Sequence, residues 1–143
     1  MQQEDYLKRQ IDQLGRVLGK VLADLLGLKS TGQLTQGTEA ASQTLKSAIG
    51  LDIGDLASIP ALEFVETLQK SGKLNDDNLE TLAEIMLIVA EDSDQPGADR
   101  EYVKQLYERS LLLYEYLDQA SSLYSYDRHA RINRIRQVIQ SSL

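Results

Sequence analysis

The chain lacks cysteine and tryptophan, and it has one histidine, His129, and two prolines, Pro60 and Pro96. Without cysteine there is no disulfide bond, no thiolate zinc site and no cysteine nucleophile. With so little proline, the backbone can form long uninterrupted helices. A lone histidine with no nucleophile or orienting acid beside it predicts a surface side chain. We therefore expect neither a metal site nor a cofactor, and no catalytic residue.

A long apolar run is also missing. The first 28 residues are rich in leucine, but the segment 5–28 carries charged side chains throughout, among them Lys8, Arg9, Asp12, Arg16, Lys20 and Asp24. A signal peptide needs an apolar centre, and a membrane-spanning helix needs about 20 mostly apolar residues. We therefore expect a cytoplasmic protein without membrane attachment.

Charge is unevenly distributed in this chain of net charge −7. Residues 34–99 hold 13 acidic and 3 basic side chains, whereas residues 1–33 and 100–143 have net charges of +1 and +2. An acidic middle segment repels phosphate groups, so we expect no nucleic-acid partner. Four C-terminal arginines share no single face of their helix and could instead meet the acidic segment: Arg128, Arg131, Arg134 and Arg136.

Apolar residues recur at helical spacing, and no segment shows the sustained period-two alternation of a strand. Helices are predicted over residues 4–28, from Thr38 to Gly50, from Pro60 to Gly72, from Asn75 to Val89, over residues 99–120 and from Ser125 onward. Residues 29–37 read as a polar loop, and residues 51–59 as a linker or a single short turn. In the third helix, Leu62 is predicted to face inward with Val65 and Leu68. We predict one all-α domain, residues 1–143, of about six helices in antiparallel pairs.

Four segments resemble an uncharacterised bacterial family, a domain of unknown function with tetratricopeptide-like helix pairs: EDYLKRQIDQLGRVLGKVL, GLDIGDLASI, SGKLNDDNLETLAEIM and YVKQLYERSLLLYEYL. The first contains a D-Y-x-x-R-x-I motif at Asp5, Tyr6, Arg9 and Ile11. The resemblance implies a degenerate tetratricopeptide-like bundle and supplies no catalytic motif. Val103, Tyr107 and Ser110 match part of the second helix of one such repeat, and Ala90 could be the small residue of the first.

Small residues recur every four positions in the first helix, at Gly15, Gly19, Ala23 and Gly27. Glycine in a helix interior costs about 1 kcal/mol relative to alanine, so close approach of another backbone should compensate. That backbone can belong to this chain, to a second copy or to another protein. Six of the seven tyrosines lie in residues 102–126, and tyrosine is enriched at interfaces. The candidate contact surface for a partner or a second copy comprises Leu7, Ile11, Leu14, Gly15, Leu18, Gly19, Ala23, Tyr107 and Tyr114.

These patterns predict a non-catalytic helical interaction module that mediates protein–protein contact or self-association. The alternative is a small enzyme or ligand-binding helical domain that uses tyrosines and the carboxylates of Asp76, Asp77, Glu80 or Glu84. A deep pocket around one strongly perturbed carboxylate would favour the alternative.

Overall fold

The computed structural model describes the backbone of residues 2–142 and the side chains of residues 3–141. Within this range the chain forms α-helices and one short 3₁₀-helix, and no strand. The elements are α1 (Gln2–Thr31), α2 (Leu34–Ile49), α3 (Ile53–Ser58), the 3₁₀-helix (Ala61–Glu63), α4 (Phe64–Gln69), α5 (Asp76–Ser93), α6 (Arg100–Ala120) and α7 (Tyr126–Ser142). The all-α prediction is confirmed, and the predicted count of about six helices is one too low for the described residues.

The additional helix is α3, which lies where a linker or a single turn was expected. Asp52 caps it, because its carboxylate accepts a hydrogen bond from the Asp55 backbone N–H at 2.7 Å. In return, the Asp55 carboxylate accepts one from the Asp52 N–H at 3.0 Å. This capping box satisfies N–H groups that the start of a helix leaves free. Ile53, Leu56 and Ala57 then enter the core.

The connection between α1 and α2 is much shorter than the predicted polar loop. α1 continues to Thr31 and α2 begins at Leu34, so only Gly32 and Gln33 separate them. Gly32 has φ +75°, a left-handed conformation that glycine adopts without steric cost and that often ends a helix. Burial of the Leu34 side chain explains why α2 begins before the polar segment is over.

The helix before Gly72 also differs from its prediction. Pro60 introduces a 3₁₀-helix, and the α-helix begins only at Phe64. Phe64 and Leu68 are buried, but Leu62 is 100% exposed, so the prediction that Leu62 faces inward is wrong. A 3₁₀-helix turns once in three residues instead of 3.6, so an apolar pattern that assumes an α-helix places this side chain on the wrong side.

Three predicted helix ends are confirmed. Gly50 ends α2 with φ +78°, and the Asn75 side chain accepts a hydrogen bond from the Asn78 N–H at 3.0 Å to begin α5. The Ser125 hydroxyl accepts one from the Arg128 N–H at 3.2 Å, just before α7. These signals are local, because the capping residue and the group that it binds lie within one turn.

The core is centred on α5, which packs against α6 on one side and α1 on another. Its residues from Ile85 to Ala90 are all buried, as expected of a helix that is covered on every side. α1 pairs with α2, and α6 pairs with α7, while α3 and α4 contact α6. Among the described helices, none packs on the outward side of α1.

Candidate interaction surface

The structure divides the nine predicted contact residues between the core and the surface. Leu14, Leu18, Tyr107 and Tyr114 are buried, so their assignment to a contact surface is corrected. The cause is that the apolar stripes of α1 and α6 face α5. Ile11 and Gly15 are half-buried, whereas the remaining three residues are exposed: Leu7, Gly19 and Ala23.

Tyr107 and Tyr114 are core residues with strongly perturbed hydroxyl groups. Burial, assisted by the nearby Asp94 carboxylate, raises the pKa of Tyr107 to about 12. Burial raises the pKa of Tyr114 further, although the nearby Arg131 guanidinium acts in the opposite direction. The Tyr114 hydroxyl has no hydrogen-bond partner within the described structure. The exposed tyrosines are Tyr6, Tyr124 and Tyr126, whereas Tyr102 and Tyr116 are half-buried.

Gly15 owes its small size to packing within this chain. A Cβ at this position would lie 3.0 Å from Oδ1 of Asn78 on α5. Asn78 is only 4% exposed, and its side-chain amide donates hydrogen bonds to the carbonyl oxygens of Ile11 at 3.1 Å and Lys73 at 2.9 Å. The Asn78 side chain is thus fixed where a larger residue 15 would have to be. For Gly15, the neighbouring helix is α5 of the same chain.

Gly19 and Gly27 have no such explanation within the described structure. A Cβ at either position would have no atom within 4 Å, apart from its own helix backbone and chain neighbours. Both residues are exposed, as is Ala23 between them, and Leu26 beside them is 49% exposed. We call these four residues, Gly19, Ala23, Leu26 and Gly27, the outer face of α1.

A groove of about 420 Å³ borders the outer face, between α1 and α2. Asp24 is the one charged residue in its lining, and most of the remaining lining residues are small: Ala23, Gly27, Gly37, Ala40, Ala41 and Thr44. The contribution of α2 was not predicted, although only Gly37 of its lining residues lies before the predicted helix start at Thr38. The spacing of the small residues from Gly37 to Thr44 was the available signal, since these positions share one side of a helix.

Two of the carboxylates of the enzyme alternative are held by arginines of α7. Glu80 accepts two hydrogen bonds from Arg128, at 3.0 Å from Nε and 3.1 Å from Nη2. These bonds raise the pKa of the Arg128 guanidinium, which burial alone would lower. Glu84 accepts a single hydrogen bond, from Nη1 of Arg131 to its Oε1 at 3.0 Å. Both carboxylates therefore connect α5 to α7.

The other two arginines of α7 are also paired. Arg134 lies 3.2 Å from Glu91 of α5, and Arg136 lies 2.7 Å from Glu115 of α6. The hypothesis that these arginines meet the acidic segment is confirmed for three of the four, because Glu115 lies outside that segment. The ion pairs fix α7 across both α5 and α6.

The remaining sequence candidates are dispersed. Asp76 accepts a hydrogen bond from the Tyr116 hydroxyl at 3.3 Å. The Nε2 atom of His129 lies 2.9 Å from Oδ1 of Asp118, and its ring lies against Tyr124 with 4.5 Å between the ring centroids. His129 is thus a half-buried, paired side chain at the junction of α6 and α7.

The described part of the chain holds neither a metal-binding cluster nor a membrane-spanning helix. No group of three or more histidine, aspartate or glutamate residues among the described residues could hold a metal ion. None of the described helices combines the length and the apolar character needed to cross a membrane. Comparison with protein-family models, curated proteins and solved structures found no match to this chain.

Proposed function

We propose that this chain is a non-catalytic helical interaction module that binds protein through the outer face of α1 and the adjoining groove. The observation that carries the proposal is the pair Gly19 and Gly27, which lie in the interior of a helix with open space around them. Each costs about 1 kcal/mol relative to alanine. Close approach of a partner backbone would explain both.

The surroundings of these glycines support a protein contact. Leu26 offers an exposed apolar side chain, and the groove beside the outer face is lined mainly by small residues. Small residues let helix backbones approach closely, and the loss of apolar surface from water then stabilises the complex. The ion pairs of Glu80 and Glu84 favour this function over the enzyme alternative, because both oxygens of Glu80 and Oε1 of Glu84 already accept hydrogen bonds.

We also propose that α5 and α6 form a degenerate tetratricopeptide-like pair, as the family resemblance implies. The Ser110 hydroxyl donates a hydrogen bond to the Ala83 carbonyl oxygen at 3.0 Å, and both residues are fully buried. Small residues at a helix crossing allow the close packing typical of such pairs. The remaining helices would then act as caps, and the cytoplasmic location stays a prediction from composition.

Site-specific photo-crosslinking tests the proposed contact surface. Benzoylphenylalanine replaces Leu26 in one variant, because this exposed residue of the outer face is already large, and the exposed Gln137 of α7 in the control variant. We expect a covalent adduct to protein, of any identity, from position 26 and none from position 137. The Gly19→Leu change should abolish the adduct, because a large side chain blocks close approach. No adduct from position 26, or equal adducts from both positions, would contradict the proposal.

A further inference from the structure

We propose that the partner on the outer face is a second copy of this chain, with the two α1 helices antiparallel about a twofold axis at Ala23. The proposal rests on the proposed function and names the partner of that same surface. A twofold interface uses the same surface on both copies, so this surface must be complementary to itself. The residues around Ala23 must therefore meet favourable partners when a second α1 lies antiparallel to the first.

The outer face has two different flanks. Gly19, Ala23 and Gly27 form a line along α1, since four residues advance about 6 Å and complete little more than one turn. Lys20 and Asp24 lie on the flank towards α2, where Asp24 lines the groove. Leu22, which is half-buried against the core of its own chain, and the exposed Leu26 lie on the opposite flank.

When a second α1 is placed antiparallel about the twofold axis at Ala23, each flank lies beside the same flank of the other copy, and the residues that meet there are complementary. Lys20 is three residues before Ala23 and Asp24 is one residue after it, so Lys20 of one copy and Asp24 of the other differ by about 3 Å along the axis. The same shift applies to Leu22 and Leu26 on the other flank. One flank therefore places opposite charges together twice, and the other places leucines together twice.

The charges on the flank are available for this role. Lys20 and Asp24 are exposed, and neither takes part in an ion pair with another described residue, in contrast to the arginines of α7. The Lys20 methylenes would cover the apolar groove while the ammonium group reaches Asp24. Arg16 would lie level with Ser30 of the second copy, at the carboxyl end of its α1, where a helix dipole favours a cation.

A charge-exchange experiment tests the arrangement. Sedimentation velocity over a range of concentrations should show a dimer for the original chain. Lys20→Glu alone and Asp24→Lys alone should each weaken self-association by about ten-fold or more, because each variant then faces like charges. An equimolar mixture of the two variants should dimerise again, because each residue 20 now meets an opposite charge at residue 24.

A matched control uses the same charge change outside the contact. Lys8→Glu should leave the dimer unchanged, since reversal about Ala23 places residue 8 beyond the end of the second α1. Circular dichroism of every variant checks that the helices are intact. The proposal is overturned by a monomer at every soluble concentration, by a dimer that neither single change weakens, or by a mixture no stronger than its components. Crosslinks from position 26 only to other proteins would leave the proposed function standing and overturn the second copy as partner.

Discussion

Replacing Gly15 by alanine tests whether contact with α5 sets the identity of this residue. Alanine adds about 1 kcal/mol of helix propensity, but its Cβ would lie 3.0 Å from Oδ1 of Asn78. Asn78 must give way by a few tenths of an ångström. This shift weakens its hydrogen bonds to the carbonyls of Ile11 and Lys73, which together contribute about 2 kcal/mol. We therefore expect Gly15→Ala to lower the free energy of unfolding by about 1 kcal/mol.

Gly19→Ala is the matched control on the same helix, one turn later. Nothing in the described structure lies within 4 Å of its added Cβ, so we expect this change to raise the free energy of unfolding by about 1 kcal/mol. Urea denaturation followed by circular dichroism, at a concentration where the chain is monomeric, measures both. The reasoning is refuted if Gly15→Ala stabilises the chain as much as Gly19→Ala does.

A double-mutant cycle isolates the contact itself. In an Asn78→Ala background the obstacle is gone, and Gly15→Ala should then stabilise the chain by about 1 kcal/mol. The coupling energy between positions 15 and 78 should therefore be about 2 kcal/mol. If the two changes add to within about 0.5 kcal/mol, the contact does not explain Gly15.

Two further predictions concern the polar groups between α5, α6 and α7. Tyr114→Phe removes a buried hydroxyl without a partner, so stability at pH 7 should be unchanged or higher. Because the pKa of Tyr114 is raised in the folded chain, the unfolded chain loses this proton first as pH rises. The contribution of Tyr114 to stability is therefore full below about pH 10 and is lost at higher pH. Thermal unfolding at alkaline pH should show a smaller loss of stability in Tyr114→Phe than in the original chain, and an equal loss would contradict this. Glu80→Gln should lower the free energy of unfolding by about 2 kcal/mol, because it leaves the buried Arg128 poorly paired. Glu91→Gln breaks an exposed pair with Arg134 and should lower it by less than about 1 kcal/mol. Denaturant unfolding measures both, and equal losses would show that burial does not set the strength of these pairs.

Local signals account for the parts of the fold that were predictable. The caps at Gly50, Asn75 and Ser125 act within one turn of the chain, so residue type and spacing were sufficient to place them. The extent of α6 was also predictable, since its apolar residues recur with the 3.6-residue period of a helix over residues 99–120.

Both errors occur where the local sequence signal is weak or fits more than one kind of helix. α3 was missed because an Asp–x–x–Asp box is a weaker signal than Ser/Thr–x–x–Glu, and the helix that it begins has only six residues. Leu62 was misplaced because apolar spacing does not distinguish a 3₁₀-helix from an α-helix over three residues. Both errors left the all-α class untouched.

The sequence by itself determined the helical class, the helix ends at Gly50, Asn75 and Ser125, and the uneven charge, because each depends on neighbours along the chain. Only the tertiary structure decided that α5 covers Gly15 and leaves Gly19 and Gly27 open. It also decided which glutamate each arginine meets, as in Arg128 with Glu80, 48 residues apart in sequence. The physical reason is that the type of a small or charged residue does not specify which distant residue it contacts. That contact is set only when the helices pack against one another.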